Sequence, residues 1–345
     1  VSTVTPQTIL ARLISRTDLT VDEARGLFDQ IMDGAVGPEE LAAILAALAT
    51  KGESVSELVG GAEAMRSRVT PIQLPPSVSA IDTCSTGGDG RPTFNLSTTV
   101  AIVAAAAGAT VAKHGNRSNT RASGSAEGLM ALGVNVDAPP PIVERCLAEA
   151  RIGFLFAPML HPAMRHAAPV RRKLGTRTIF NLLGPLTNPA GVRRQLLGVN
   201  RPELVETMIE VLRLLGAERA CVVHGLEGLC DLSISGPSLL ARWDGRRVRV
   251  EDVDCRATGS DPAPPEALYV RSPAESAAVI GRILAGEPGP PREAVVLNAA
   301  AALWVSGLAD DWTSGAVLAR QALDSGAARD TLSRWCELSH GTTTT

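Results

Sequence analysis

The sequence predicts an α/β protein: a small all-helical unit at the amino end, then a large α/β unit built on a mainly parallel central sheet. Three observations predict it. The first seventy residues carry only helix signals. After the proline-bearing connector Pro71 to Ser79, short β-branched runs alternate with helical ones, the texture of strands joined by crossover helices. The third is size, since 345 residues are more than one core ordinarily serves. The units are placed at 1–73 and 74–345, with helices from about 161–190 packing back onto the smaller one.

The elements follow in order. Thr20-Val-Asp-Glu23 is a capping box that opens an amphipathic helix, closed at Gly34. Pro38, Glu39 and Glu40 start a second helix that Gly52 ends, and a third runs from Ser56 to Arg68. Strands are expected at Ala80–Thr83, Thr110–Ala112, Gly133–Val136, Gly153–Phe156 and Ala220–His224. Helices are expected at Thr99–Ala107, at His161–Lys173 against the amino-terminal helices, and around Arg292–Leu308 and Trp312–Ala327.

Composition narrows the function. Apolar residues make up 45% and charged residues 20%, as a packed globule requires. A net charge of −3 and a pI near 6.0 argue against a dedicated nucleic-acid binder. The longest apolar run, Val100–Ala109, is half a membrane span, and Val1–Thr8 has no signal-peptide pattern. Six cysteines without a C-x-x-C pair indicate neither zinc nor a disulfide framework. The expectation is a cytoplasmic enzyme with no membrane partner.

Two glycine-rich or hydroxyl-rich turns carry the chemistry. Cys84-Ser-Thr-Gly-Gly-Asp-Gly90 follows a strand, and consecutive glycines there can turn backbone N–H groups toward one anion. Asn95-Leu-Ser-Thr98 then opens a helix, a second ready phosphate site. Lys113-His-Gly-Asn-Arg117 sits at a strand's carboxyl end, where open α/β sheets bind ligands. Lys113 is one of only three lysines, beside Lys51 and Lys173, in a chain otherwise dominated by arginine. Its ammonium offers phosphate a point charge that the guanidinium fork does not reproduce.

These motifs, with His161-Pro-Ala-Met-Arg165, Pro169-Val-Arg171 and Arg177-Thr-Ile-Phe-Asn-Leu-Leu-Gly-Pro-Leu-Thr-Asn-Pro189, resemble the anthranilate phosphoribosyltransferase family over almost the whole chain. The resemblance implies a homodimer with its active site between a small helical and a large α/β domain. It implies transfer of a 5-phosphoribosyl group from phosphoribosyl pyrophosphate (PRPP) to the amine of anthranilate, with Mg²⁺ and release of pyrophosphate. It assigns PRPP to Ser85, Thr86, Gly87, Gly88, Asp89, Thr93, Asn95, Ser97, Thr98, Lys113 and Arg121. It assigns the acceptor to Asn116, His114, His161 and Arg171, and metal to Ser97, Asp231 and Glu227.

The sequence departs from the family in four places. Cys230 replaces a carboxylate that, with the residue at 231, serves a second Mg²⁺; a thiol is a poor ligand for so hard an ion. Ser85 replaces a glycine, and Thr120 and Arg121 replace a serine pair. Two alternatives follow: a phosphoribosyltransferase with another aromatic acid or amine as acceptor, or a non-catalytic paralogue that holds nucleic acid or a ligand.

Overall fold

In the computed structural model, which describes residues 5–117 and 123–341, four helices open the chain: α1 (Pro6–Ile14), α2 (Val21–Met32), α3 (Pro38–Lys51) and α4 (Val55–Arg66). One more is present than the sequence reading expected. It is α1, whose signals are ordinary: Thr5 accepts from Thr8 N at the cap, Pro6 stands in the first turn, and Ile9 and Leu13 are buried. Capping boxes Thr20/Glu23 and Ser54/Glu57 start α2 and α4. These two helices lie so close that a Cβ on Gly60 would fall 2.3 Å from Val21 O. Lys51 ties the helices together, its Nζ lying 2.5 Å from Asp18 and 3.1 Å from the fully buried Glu57.

Seven strands form one sheet in the order β3-β2-β1-β4-β5-β6-β7. They are β1 (Ala80–Ser85), β2 (Thr110–Gly115), β3 (Ile152–Phe156), β4 (Arg194–Gly198), β5 (Arg219–Gly225), β6 (Ser238–Trp243) and β7 (Val248–Val253). The first five in sequence pair in parallel, and β6 and β7 add an antiparallel hairpin. The chain winds one way from β1 to β3, then restarts on the other side of β1 with β4. That reversal is the topological switch point, where the carboxyl ends of neighbouring strands leave a crevice.

Three strands, β4, β6 and β7, were not expected, and one that was expected is missing. Gly133–Val136 is a turn and loop: Asn135 N donates to Ser339 Oγ and its Nδ2 to Ser339 O, so a carboxyl-terminal helix takes the hydrogen bonds a neighbouring strand would need. Helices Pro273–Leu284 and Ala327–Ser339 also go beyond the expected set.

Two apolar clusters cover the sheet. One surrounds α5 (Leu96–Ala106) and the helix Pro290–Ser306, both almost wholly buried. The other joins α1–α4 to Ala167, Val170, Phe180 and Leu183, and continues onto Leu197, Val222 and Ala241 of β4–β6. The segment from 161 to 190 therefore packs against the amino-terminal helices and carries its side chains toward the switch point. Among the described residues no helix is long and apolar enough to cross a membrane.

Candidate functional site

The crevice is floored by the turn that follows β1. Thr86 N donates to Gly198 O at 2.9 Å, closing the β1–β4 ladder. Gly87, Gly88 and Gly90 then take φ of +60°, +80° and +66°, the left-handed conformation that lets successive amides form an anion nest. Arg177 holds the turn, its Nη1 donating to Gly87 O at 2.8 Å and Nη2 to Thr86 O at 3.1 Å. A Cβ on Gly88 would lie 1.7 Å from that Nη1, so a side chain there would displace the Arg177 brace, and the φ of +80° itself favours glycine. On the far side Asp89 accepts from Arg91 N and, at 3.2 Å, from Cys230 N. Asp89 is thus a brace of the turn. Arg177 lay inside a recognised motif, yet nothing local marked its role, because its partners are ninety residues upstream.

Lys113, expected just past a strand that closed at Ala112, lies inside β2, which runs on to Gly115. It is 1% exposed. Its Nζ donates to Thr83 O at 2.5 Å and to Ser97 Oγ at 3.2 Å, and burial lowers its pKa, with the carboxylates Asp82 and Asp231 opposing. Thr83, Ser97 and Asp231 border one small cavity beneath the glycine turn. A third ammonium N–H remains for a ligand. Asp82, which the sequence reading passed over, accepts from His114 N and from Asn188 Nδ2, and Asn188 also donates to Ala112 O. This buried knot fixes β1 to β2.

The remaining donor-side residues divide. Ser85 ends β1, half-buried beside Gly198. Thr93 and Thr98 are buried with hydroxyls that have no partner among the described residues, an expense that a bound polar ligand would relieve. Asn95 is fully engaged elsewhere: its Nδ2 donates to Ser123 O and Gly124 O, and its Oδ1 accepts from the hydroxyls of Ser123 and Ser276. Its side chain clips the start of α5 to the segment after 122. Thr120 and Arg121 lie outside the described residues.

Cys230 is wholly buried, its sulfur 3.9 Å from Gly87 O. Glu227 is held by the hydroxyls of Ser233 and, at 2.9 Å, Ser235. Neither therefore faces the cavity that Asp231 and Ser97 share. Among the described residues no three His, Cys, Asp or Glu side chains gather as a metal cage.

On the acceptor side, His114 and His161 meet at 3.0 Å between their Nε2 atoms. Burial lowers His114 to about 3, with His161 adding to it, and lowers His161 to about 4. Both rings are neutral at pH 7, and one donates to the other. Asn116 is exposed and accepts from Arg117 N. Arg171 stacks on Phe180, its guanidinium carbon 5.2 Å from the ring centre. Among the described residues it has no ion pair or side-chain hydrogen bond, and burial lowers its pKa. A half-buried guanidinium without an acceptor suits an incoming carboxylate.

The histidine pair carries a stability prediction. Both folded pKa values lie below the ordinary 6.5, so the unfolded chain binds more protons, and the stabilisation is present above pH 6.5 and lost as pH falls toward 3–4. The urea midpoint of the native chain should drop more steeply between pH 6.5 and 4 than that of a His114→Gln, His161→Gln double variant. Parallel curves would show that the pair titrates normally.

Comparison with known proteins agrees with this architecture. Residues 77–329 match the family described as "Glycosyl transferase family, a/b domain", and residues 7–69 match its "helical bundle domain". The anthranilate phosphoribosyltransferase of Nitrosomonas europaea is 45% identical over 335 residues, covering 97% of this chain and 98% of that one. The crystal structure of the enzyme of that name from Thermus thermophilus is 41% identical with a TM-score of 0.90, covering 96% of this chain and 99% of that one. The Saccharomyces cerevisiae enzyme in complex with PRPP and Mg shares the fold, with a TM-score of 0.88 at 24% identity over 97% of each chain.

Proposed function

The chain belongs to this glycosyl transferase family and, within it, to the anthranilate phosphoribosyltransferases, and on that footing we propose that it transfers the 5-phosphoribosyl group of PRPP to the amine of anthranilate, releasing pyrophosphate. The observation that carries the reading is the switch-point crevice, where a left-handed glycine turn and the Ser97–Asp231 cavity, with Lys113 bonded to Ser97, lie at the carboxyl ends of adjoining strands.

Displacement at the anomeric carbon passes through an oxocarbenium-like state, so the protein needs to hold and neutralise the leaving group and to place the amine. The glycine turn and Lys113 bind the phosphates, and the idle hydroxyls of Thr93 and Thr98 supply further donors. Ser97 and Asp231 are hard oxygen donors on one cavity and would hold Mg²⁺ there. When bound, the ion neutralises charge on the leaving pyrophosphate. The donor sets of Glu227 and Cys230, turned away as they are, favour a single protein-held ion.

Arg171 receives the acceptor carboxylate, and the neutral His114–His161 pair does not repel an amine. Arg171→Ala should raise the KM for anthranilate at least tenfold and leave that for PRPP within about twofold, while Arg171→Lys restores only part because the bidentate fork is lost. Equal effects on both substrates would make Arg171 a structural residue.

The small unit comprises 1–73 with the helices of 161–190, and the large unit the rest of 74–345. The assembly is a homodimer working in the cytoplasm, as the family resemblance implies. Light scattering should give twice the chain mass. The direct test of function is loss of anthranilate fluorescence with pyrophosphate release on adding PRPP and Mg²⁺. Pyrophosphate release indifferent to anthranilate, or none at all, would overturn the reading.

A further inference from the structure

Far from the glycine turn, at the amino ends of β4 and β5, a cavity of about 230 Å³ is lined by Arg219, Arg242, Arg249, Asp244, Asp310 and Trp304. With β5 seven residues long, it lies roughly 20 Å from the crevice at ~3.3 Å per residue. Its cations are unequally matched. Arg242 pairs with Glu251 at 2.5 Å. Arg194, just outside, pairs with Glu218 and donates to Ser306 O at the end of the helix Pro290–Ser306. Arg249 comes only within 3.9 Å of Asp244, too far for a hydrogen bond.

Arg219 stands apart. Among the described residues its guanidinium makes no ion pair and no hydrogen bond. It lies 4.3 Å from the centre of the Trp304 ring, and Arg242 lies 5.1 Å from the same ring. Burial and the neighbouring cation Arg194 work against its charge, while the carboxylates Asp244 and Asp310 favour it. The open space beside it is the cavity itself, because the Gly307 side is closed: a Cβ there would already lie 3.2 and 3.3 Å from Nη1 of Arg194 and of Arg219.

We propose that this cavity is a second anion site, taking a small ligand with one phosphate or carboxylate group in the fork of Arg219, with Arg242 and Arg249 on its rim. A guanidinium offers five donors and accepts nothing, so only an acceptor can satisfy it. Asp244 and Asp310 oppose an anion. Asp244 is partly spent on the amides of Arg246 and Arg247, and Asp310 is exposed at the edge. The cavity is smaller than the ~300 Å³ at which sites for drug-sized ligands begin. This inference does not rest on the proposed transferase activity.

The test uses tryptophan emission, because Trp304 lies against Arg219. Titration with inorganic phosphate, and separately with acetate, should change the emission saturably in the native chain and equally in Lys113→Ala, which disables the phosphate site of the crevice. Saturation by only one of the two anions identifies the ligand group. Arg219→Gln should weaken the response at least tenfold while keeping native kcat, and Arg249→Gln several-fold. If Arg219→Gln does not fold, the Arg249→Gln titration decides. Titrations indistinguishable from native in the variants, loss of the signal in Lys113→Ala, or a response that never saturates would each overturn the proposal.

Discussion

Gly198→Ala is expected to lower kcat at least a hundredfold and to destabilise the fold by about 3 kcal/mol. The added Cβ would fall 1.7 Å from Cys230 O and 2.7 Å from Cys230 C. Both are backbone atoms, so no rotamer change relieves the clash, and overpacking of this kind costs ~1–3 kcal/mol or more. The segment that moves is the one whose Cys230 N holds Asp89, and Gly198 O is also the acceptor for Thr86 N. Both braces of the glycine turn are therefore displaced together, and a shift near 1 Å can cost about 10² in rate. Urea denaturation and steady-state kinetics give the two quantities. Native kinetics in a folded variant would show that the turn is placed independently of β4.

Lys113→Ala is the second large effect. Losing a charge-assisted hydrogen bond to phosphate should weaken PRPP binding by about 1.5–3 kcal/mol, read by calorimetric titration. A distinct signature comes from burial, which lowers the pKa of this ammonium below its ordinary 10.5. The anion is bound by the protonated form, so the KM for PRPP should rise on the alkaline side at a lower pH than an exposed lysine would give. That alkaline limb should vanish in Lys113→Ala. Unchanged affinity would remove Lys113 from the donor site.

Much of this site was legible because its parts are contiguous. The glycine turn at 86–90, the hydroxyl cluster at 95–98 and Lys113 each announce their chemistry within a few residues. Arg177, Asp82 and Asn188 do not, since an arginine or aspartate brace looks like any other until the chain brings together positions about ninety to more than a hundred residues apart. Asn95 shows the converse: a residue placed in a phosphate motif spends its whole side chain on structure. Other misses had readable signals. Asp244-Gly245 between β6 and β7 is a strong hairpin cue, and Thr5-Pro6 is a helix start. Gly133–Val136 misled because alternating buried valines look the same in a strand and in a loop pinned by a distant helix.

The position of β1 in mid-sheet has a consequence for how the chain is made. Its partner β2 leaves the ribosome soon after it, but Ile81 must wait for Arg194 on β4. At about 5–20 residues per second, more than a hundred residues of synthesis take roughly 5–20 s. Through that interval the β3-β2-β1 half-sheet shows a bare, apolar, hydrogen-bond-hungry edge, so the nascent chain passes through a window of aggregation risk that the finished fold no longer contains.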